Sequence, residues 1–324
     1  MNKEIIKKFK NLNVLVLGDV MIDTYLIGKV ERISPEAPVP IVSINKKESR
    51  LGGAANVAMN LVALGAKPIL CSVVGNDSEA NNLIKLLKKN KISAAGIIKS
   101  NNRITTVKTR VISQSHQMLR VDSEITNPLD QADSKKLENS VKKLLRKADV
   151  LIFQDYDKGI ITPKVIQTII AEANKLKVPV AVDPKKRNFL NYKNAMLFKP
   201  NLKELKEGFK REIDINNKKE FEKVCSDLMD EMKLKNLFVT MSEHGVMITD
   251  GKKFEYIPAH FRKIADVSGA GDTVISVAAL CLALGLPIKE IAMLSNLAGG
   301  LVCEEVGVVP INKNRLIEEA KNFD

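Results

Sequence analysis

The chain has 324 residues, of which 45% are hydrophobic and 4% aromatic, and its 51 Lys and Arg against 38 Asp and Glu give a formal charge of +13. This composition excludes an intrinsically disordered chain, and 17 Gly and 12 Pro are too few for a fibrous protein. The basic residues are scattered along the chain, some of them as Lys-Lys pairs, rather than clustered in one segment. This pattern favours a lysine-rich solvated surface over a patch that binds nucleic acid or a membrane. It is also compatible with a small anionic substrate.

Cysteine, histidine and apolar residues indicate the compartment. The four Cys form no C-x-x-C pair and the three His show no H-x-x-x-H spacing, so we expect reduced thiols and no zinc site. The apolar run at residues 14–17 is too short for a signal peptide. The longest apolar stretch, residues 274–286, is shorter than the roughly 18 residues of a membrane span. We therefore expect a cytoplasmic protein with no membrane partner.

Short apolar runs alternate with amphipathic runs along most of the chain. This alternation is typical of βαβ units in a mostly parallel sheet with helices on both faces. The predicted strands are residues 14–18, 69–74, 150–154, 179–182, 196–199, 237–240 and 246–249. The predicted helices are residues 54–64, 78–90, 131–147, 163–177, 217–234, 270–286 and 288–303. Since no Gly- or Ser-rich linker interrupts it, the chain, residues 1–324, is predicted to form one α/β domain.

Two regions without a neighbouring helix predict antiparallel strands outside the main sheet. Residues 23–50 contain an alternating run among prolines, and residues 104–122 contain two β-like runs around a polar turn at Ser113–His116. We expect them to form a small β-lid, with an ordinary edge hairpin as the alternative.

The most specific motif is Asp-Val-Ser-Gly-Ala-Gly-Asp-Thr, residues 266–273, at the start of a predicted helix. Gly269, Ala270 and Gly271 leave backbone N–H groups uncovered at a helix start, where the helix dipole favours an anion. Asp272 places a carboxylate beside them. Donors for a moving phosphoryl group next to an acceptor for a hydroxyl proton suit phosphoryl transfer. A glycine turn with Asp272 as an ordinary first-turn residue is the alternative.

A second glycine-rich helix start combines Gly52 and Gly53 with Asn56, which offers a donor and an acceptor on the first turn. Asp19 follows the first predicted strand, with Asp23 four residues later. Carboxylates at this end of a parallel strand face the crevice where α/β proteins bind ligands, and they suit the hydroxyls of a sugar. A glycine turn before a helix of small residues, and an Asp that caps a helix or a turn, are the alternatives.

Asn201 and Glu204 follow another strand and share one face of a short helix. Their oxygens could hold Mg²⁺ through water. An N-cap Asn with Glu at the third helical position, a capping box, explains the same spacing and is favoured by spacing alone.

Together these motifs resemble the ribokinase-like (PfkB) family of carbohydrate kinases over residues 11–312. The resemblance implies a ribokinase-like three-layer αβα sandwich with a mostly parallel central sheet and a β-lid. It implies transfer of a phosphoryl group from ATP to a sugar hydroxyl with Mg²⁺. It is also compatible with a bound monovalent cation and with a homodimer formed through the lid.

Four further segments are similar to the heptose 7-phosphate kinases of lipopolysaccharide core synthesis: residues 32–42, 52–58, 155–159 and 183–185. This similarity implies phosphorylation of the C1 hydroxyl of D-glycero-β-D-manno-heptose 7-phosphate to the 1,7-bisphosphate. A kinase of the same family for another sugar or sugar phosphate, such as fructose, fructose 1-phosphate or ribose, is the alternative. Such kinases are often fused to an adenylyltransferase with a His-x-Gly-His motif. This sequence lacks that motif, so we expect the kinase alone.

The resemblance also assigns roles to residues. Asp272 would be the general base, and the backbone of Gly269, Ala270 and Gly271 would stabilise the transferring phosphoryl group. The residues that would bind ATP, the first two also organising Mg²⁺, are Asn201, Glu204, Thr240, Ser242, Gly245 and Asn296. The residues that would hold the sugar are Asp19, Asp23, Gly52, Gly53 and Asn56.

A sugar phosphate needs cationic partners apart from the ATP site. The candidates near strand ends or in the lid are Arg110, Arg120, Lys158 and Lys185, each also compatible with a plain surface position. The expected partners are thus a small sugar phosphate and ATP, without nucleic acid. A nucleic-acid-binding protein, the rival class, would interleave clustered basic residues with aromatics.

Overall fold

The computed structural model describes residues 2–114, 116–260 and 262–323. Its strands are β1 (Asn13–Gly18), β2 (Val20–Ile33), β3 (Pro40–Gly53), β4 (Lys67–Gly75), β5 (Ser93–Ser100), β6 (Val107–Ser113), β7 (His116–Ser123), β8 (Val150–Gln154), β9 (Val180–Asp183), β10 (Leu197–Phe198), β11 (Asn236–Thr240), β12 (Val246–Thr249) and β13 (Phe254–Ile257). Its helices are α1 (Asn2–Lys8), α2 (Ala54–Leu64), α3 (Ser78–Lys89), α4 (Gln131–Leu145), α5 (Pro163–Lys175), α6 (Leu202–Phe209), α7 (Lys218–Met232), α8 (Ala270–Ala283), α9 (Ile288–Val302) and α10 (Lys313–Glu319).

Nine strands form the main sheet in the order β13-β12-β11-β10-β9-β8-β1-β4-β5. The strands from β11 to β5 are parallel, whereas β12 and β13 add an antiparallel edge. Successive residues of a strand point to opposite faces, so Val14 and Val16 pack in one apolar core and Leu15 and Leu17 in another. The first core contains residues of α2, α8 and α9, and the second contains residues of α4, α5 and α7. This is the predicted three-layer αβα sandwich.

The predicted strands and helices of the main sheet are all present, with ends within a few residues of the expected ones. The stretch 274–286, interpreted above as a buried helix, belongs largely to α8, whose residues are buried from Asp272 to Cys281. Two strands were not expected, β5 and β13. Both are edge strands of the sheet, and neither has the continuous apolar run of a strand covered on both faces.

A second sheet has the order β3-β2-β6-β7 and contains most of the two regions expected to form a lid. β2 pairs with β3, and β6 with β7, in antiparallel fashion. The β2–β6 pair, however, is parallel, which the expectation of antiparallel strands did not include. The long crossover through α2, β4, α3 and β5 brings the chain back in the same direction. Ser115, in the predicted turn, lies outside the described residues.

Within the residues that the structure describes, no helix is both long enough and apolar enough to cross a lipid bilayer.

Candidate active site

The carboxyl ends of five adjacent parallel strands meet at one edge of the main sheet. β8 ends at Gln154, β9 at Asp183 and β11 at Thr240, while Asp19 and Lys199 directly follow β1 and β10. This edge is where open α/β sheets bind their ligands. The strand order thus gathers polar side chains that lie far apart in the sequence.

Helix α8 begins at the same edge and carries Asp272 in its first turn. Its N-cap, Gly269, has φ 83°, a left-handed conformation that favours glycine, and no described side chain caps the first N–H groups of the helix. Asn60 of α2 fixes the helix laterally, because its Oδ1 accepts hydrogen bonds from Thr273 Oγ1 and the Ile311 N–H, each 3.0 Å long. The free N–H groups make the start of α8 a site for an anion.

Asp272 is buried and accepts hydrogen bonds from three segments. Asn56 Nδ2 donates to Oδ2 over 2.6 Å, while Tyr156 Oη and Gln154 Nε2 donate to Oδ1 over 2.8 and 3.0 Å. Burial raises the pKa of Asp272 to about 6, and the hydrogen bond from Asn56 opposes this shift. Nearby Asp183 raises the pKa further, whereas Tyr156 and Lys199 lower it. A carboxylate with a pKa near neutrality suits general base catalysis.

Two acceptors beside Asp272 are left without a hydrogen bond. Asn56 Oδ1 and Gln154 Oε1 are buried and find no partner among the described residues. Buried polar atoms are nearly always hydrogen-bonded. These two oxygens therefore mark a place that suits a ligand with several hydroxyl groups.

Asp183 and Lys199 form a buried ion pair next to the start of α8. Their relative exposures are 4% and 2%, and Lys199 Nζ lies 3.2 Å from Asp183 Oδ1. Asp183 Oδ2 accepts a hydrogen bond from Gln154 Nε2 over 3.2 Å. Because Gln154 Nε2 also bonds to Asp272, the ion pair belongs to the same polar network.

A cavity of about 560 Å³ opens from Asp272 along the ends of β10 and β11, a size typical of small-molecule sites. It is lined by all six residues predicted to bind ATP and by the four predicted at the phosphoryl group: Asn201, Glu204, Thr240, Ser242, Gly245, Asn296, Gly269, Ala270, Gly271 and Asp272. Lys185, Lys199 and Asp183 also line it. The structure thus brings these residues together, while their individual roles stay predictions.

Asn201 and Glu204 form the capping box of α6 that the sequence offered as the alternative to a metal site. Asn201 Oδ1 accepts the Glu204 N–H over 2.8 Å, and Glu204 Oε2 accepts the Asn201 N–H over 2.9 Å. The other oxygen of Glu204 pairs with Lys185. Both side chains still line the cavity, so capping fixes them in position at its wall.

The residues predicted to hold the sugar divide into two groups. Gly53 is the N-cap of α2 with φ 59°, and a Cβ at this position would lie 2.3 Å from the Asp19 carbonyl oxygen. Asn56 lies in the first turn of the same helix and donates to Asp272. The Asp19 carboxylate accepts hydrogen bonds from the N–H groups of Tyr156, Lys158 and Ile160, so it anchors the loop after β8.

Asp23 and Gly52 lie in the lid sheet, where Asp23 Oδ1 pairs with Arg110 over 2.5 Å. Of the other predicted phosphate-binding cations, Arg120 is exposed and pairs with Asp122 at 3.0 Å. Lys158 pairs with Glu124 at 2.8 Å, and Lys185 belongs to the cavity. The structure therefore does not bring these four cations together.

Sequence reasoning gave no role to four contributors to the polar network, although two of them lie in segments that it singled out, 155–159 and 183–185: Gln154, Tyr156, Asp183 and Lys199. Each lies at or just after the carboxyl end of a predicted strand. The argument that singled out Asp19 applies equally to them. Only the strand order shows that they converge on Asp272.

A family profile described as pfkB family carbohydrate kinase matches residues 11–314, nearly the whole chain. The chain belongs to the pfkB family of carbohydrate kinases. Members of this family transfer a phosphoryl group to a sugar hydroxyl, using ATP and a divalent metal ion. The start of α8 and the adjoining cavity have the features that this reaction needs.

Curated relatives of this pfkB kinase include proteins named bifunctional protein HldE. That of Aliarcobacter butzleri is 40% identical over 95% of this chain, and that of Wolinella succinogenes is 39% identical over 94%. In both cases the chain spans 64% of the length of the relative.

Solved structures confirm the ribokinase-like fold. Phosphofructokinase-2 from Escherichia coli in complex with potassium superposes with a TM-score of 0.81 at 18% identity, covering 96% of this chain and 99% of its own. Arabidopsis thaliana ribokinase complexed with ribose and ATP superposes with a TM-score of 0.74 at 15% identity, covering 95% and 99%.

The raised pKa of Asp272 predicts an acid limit to activity. The carboxylate is ionised above its pKa of about 6, so kcat/KM should fall about tenfold per pH unit below that value if Asp272 is the base. Tyr156→Phe removes a hydrogen bond that lowers the pKa, and it should move this limit to higher pH.

A pH–rate profile of both proteins tests this prediction. Tyr192→Phe is a matched control, because Tyr192 is a buried tyrosine whose Oη donates to Asp155 Oδ2 over 2.6 Å. Tyr192→Phe should leave the acid limit of kcat/KM at the same pH as in the wild type. An unchanged limit in Tyr156→Phe would contradict the coupling between Tyr156 and Asp272.

Proposed function

We propose that this chain phosphorylates the C1 hydroxyl of D-glycero-β-D-manno-heptose 7-phosphate with ATP, giving the 1,7-bisphosphate. The observation that carries the proposal is the position of Asp272. It lines a cavity of a size that suits a nucleotide, and it is hydrogen-bonded to Asn56 and Gln154, whose unpaired oxygens Oδ1 and Oε1 suit sugar hydroxyls. Two similarities support this choice of sugar. The chain is 40% identical to the HldE protein of Aliarcobacter butzleri over 95% of its length, and four of its segments are similar to heptose 7-phosphate kinases.

In the proposed reaction the C1 oxygen attacks the γ-phosphorus of ATP, and the bond between that phosphorus and the β,γ-bridging oxygen breaks. The hydroxyl proton passes to Asp272, and ADP leaves with the electron pair. The N–H groups at the start of α8 stabilise charge on the transferring phosphoryl group. Closure of the lid sheet, β3-β2-β6-β7, would exclude water and so suppress hydrolysis of ATP.

The cavity wall fits a Mg²⁺ ion held mainly by phosphates and water. No cluster of three or more His, Cys, Asp or Glu side chains suited to a metal occurs among the described residues, but Asn201 and Glu204 present oxygen atoms there. Mg²⁺ usually keeps several waters and takes one or two carboxylates besides the phosphates of its nucleotide. When bound, it would neutralise charge on the triphosphate. Asn201 and Glu204, fixed by their capping box, would orient its water ligands.

Asp272→Asn tests the role of the general base. The amide cannot accept the hydroxyl proton, so kcat should fall by about two orders of magnitude or more while ATP affinity stays nearly unchanged. Turnover by coupled ADP release and titration with ATP measure the two effects. Turnover within about tenfold of wild type would rule out proton transfer to Asp272.

The phosphate of the sugar would bind to one face of the lid. Asp23 lies opposite Arg50, and Tyr25 opposite Arg110, in the strand register, so these four side chains share a face. The guanidinium carbons of Arg50 and Arg110 lie 5.0 and 5.5 Å from the centre of the Tyr25 ring. Arg50 Nη1 lies 3.0 Å from where a Cβ of Gly307 would stand, which places this face against the main domain.

Arg50, which the sequence did not single out, thus joins Arg110 as a phosphate ligand in the proposal. Two arginines held by one aromatic ring form a rigid pair of donors for a dianion. Asp23, already paired with Arg110, would keep that arginine in place before the substrate arrives.

Arg50→Gln and Arg110→Gln should each reduce the preference for heptose 7-phosphate over unphosphorylated heptose by roughly 10- to 100-fold, the value of one charge-assisted hydrogen bond. The measurement is kcat/KM for both sugars. Lys89→Gln, which removes an exposed charge in the last turn of α3, is the control and should change neither value. If the wild type prefers the unphosphorylated sugar, or fructose 1-phosphate in a sugar panel, the proposed substrate is wrong.

The opposite face of the lid would form a homodimer. Leu26, Val111 and Leu119 lie side by side across three strands, with Val121 next to Leu119 on the same face. Leu119 and Val121 are 57% and 51% exposed. An exposed apolar row on a sheet favours burial against another protein surface. For two strongly basic copies of one chain, apolar contact avoids the repulsion between their charges.

Leu119→Lys should therefore shift the protein from dimer to monomer in sedimentation velocity, because it would bury an unpaired charge in that interface. Met196→Lys changes an exposed apolar side chain outside the lid and should leave the dimer intact. A wild-type monomer, or a Leu119→Lys dimer of unchanged affinity, would contradict the proposed interface.

A further inference from the structure

Arg103 is a buried arginine in the connection that leads from the main sheet into the lid. It lies between β5 of the main sheet and β6 of the lid, and it is 9% exposed. Arginine is seldom buried unless its donors are paired. Its described acceptors are three backbone carbonyls rather than carboxylates. These carbonyls belong to two further segments of the chain.

The first segment is the connection by which the chain leaves the lid, between β7 and α4. Arg103 Nη1 donates to the Asn127 carbonyl over 2.8 Å, and Nη2 donates to the Ile125 carbonyl over 2.9 Å. The second segment is the loop after β8, where Nη2 donates to the Lys158 carbonyl. One planar guanidinium, whose donors have a fixed geometry, thus joins both lid connections to that loop.

The backbone that carries Arg103 is itself held against the main domain. Asp77, the N-cap of α3, accepts hydrogen bonds from the Thr105 N–H and from Thr105 Oγ1, each 2.8 Å long. A Cβ at Gly75, the last residue of β4, would lie 2.8 Å from the Arg103 carbonyl oxygen. The guanidinium therefore extends from a fixed backbone toward the other two segments.

The loop after β8 reaches the proposed base. Lys158 is held at both of its backbone groups, because its N–H donates to Asp19 over 3.3 Å and its carbonyl accepts from Arg103. Two residues earlier in the same loop, Tyr156 Oη donates to Asp272 over 2.8 Å. A shift of the Lys158 peptide would therefore disturb the hydrogen bond between Tyr156 and Asp272.

The loop and the exit connection of the lid also touch directly. The Leu129 N–H donates to the Gly159 carbonyl over 3.0 Å. A side chain at Gly159, which has φ 81°, would collide with the Asn127 carbonyl. This close packing leaves little freedom between the two segments, and Arg103 donates to both of them.

We propose that Arg103 is a positioning residue, which holds Tyr156 on Asp272 by joining the two lid connections to the loop after β8. Arg103 does not line the cavity, so it would act through the loop and not on the substrate. Because it also holds the lid connections, it would fix the lid and the base relative to each other. The proposal rests on the role of Asp272 proposed above but not on the identity of the sugar.

A purely structural role is the competing explanation. Loss of three hydrogen bonds to buried carbonyls destabilises a fold wherever they lie, so neither a lower melting temperature nor a lower activity separates the two explanations. The acid limit of kcat/KM does separate them, since it is a property of the folded molecules. It moves only when the surroundings of Asp272 change. The charged groups that face Asp272, namely Asp183, Lys185 and Lys199, are the same in every variant used below.

Arg103→Lys is the deciding variant. Lysine keeps the positive charge, but its ammonium cannot reproduce the planar fork that spans three carbonyls. The hydrogen bond from Tyr156 lowers the pKa of Asp272, so its loss should move the acid limit to higher pH. We expect a shift of up to about one pH unit, the value of one hydrogen bond to a carboxylate.

The double variant Arg103→Lys/Tyr156→Phe tests the route through Tyr156. If both changes remove the same hydrogen bond, its acid limit should equal that of Tyr156→Phe alone, whereas independent effects would add. The measurements are pH–rate profiles on D-glycero-β-D-manno-heptose 7-phosphate by coupled ADP release. A wild-type limit in Arg103→Lys would overturn the proposal in favour of a structural role. Additive shifts, or an unchanged limit in Tyr156→Phe, would overturn it as well.

Hydrogen exchange of the ligand-free protein gives a second readout that needs no activity. The N–H groups of Tyr156, Lys158 and Ile160 are bonded to Asp19. They should exchange faster in Arg103→Lys than in the wild type, because the loop has lost its second anchor. Unchanged exchange of these groups would show that Arg103 does not hold the loop, and it would overturn the proposal.

Arg187→Lys is a matched control. Arg187 is exposed, and its Nη1 donates over 2.6 Å to the carbonyl of Thr126, in the same exit connection of the lid. This hydrogen bond does not reach the loop that carries Tyr156, so its loss should leave the acid limit at the wild-type value. A wild-type chain that is inactive on heptose 7-phosphate contradicts the proposed substrate and not the role of Arg103. The same profiles are then measured on the sugar that the wild type accepts.

Discussion

A carboxylate in a protein interior is unfavourable unless hydrogen-bond donors replace the water that it loses. In this kinase the buried carboxylate is that of Asp272. Its hydrogen-bond donors come from three elements: Asn56 from α2, Gln154 from the end of β8, and Tyr156 from the loop after β8. Each of these donors stabilises the buried carboxylate. The position of Asp272 therefore couples the packing of α8 on α2 to the loop that Asp19 anchors.

The charges around Asp272 are arranged in pairs. Asp183 is paired with Lys199, and Glu204 with Lys185, so two carboxylates and two lysines surround the place proposed for the phosphates. A triphosphate that enters this cavity meets cations whose positions are already fixed, which reduces the reorganisation needed during the reaction. The net charge of +13 did not point to these residues, because a sum over the surface says nothing about which cations are buried beside a ligand.

The two faces of the lid sheet carry different kinds of side chain, charged on one face and apolar on the other. Strand pairing places Arg50, Arg110 and Tyr25 on one face, and Leu26, Val111 and Leu119 on the other. A strand alternates its side chains between faces, so one short sheet can offer a charged surface toward the sugar and an apolar surface toward a second copy. In the proposed function, substrate binding and dimer formation would thus share the same four strands.

The sequence by itself determined the α/β class, most strands and helices, and the two glycine-rich helix starts at Gly53 and Gly269. These depend on local periodicity and backbone conformation. It also placed six expected ATP ligands that line one cavity. Only the tertiary structure decided that Gln154, Tyr156, Asp183 and Lys199 converge on Asp272, and that Arg50 joins Arg110 across Tyr25. Their proximity follows from strand order and register, which bring together residues distant in the chain and leave no local pattern in the sequence.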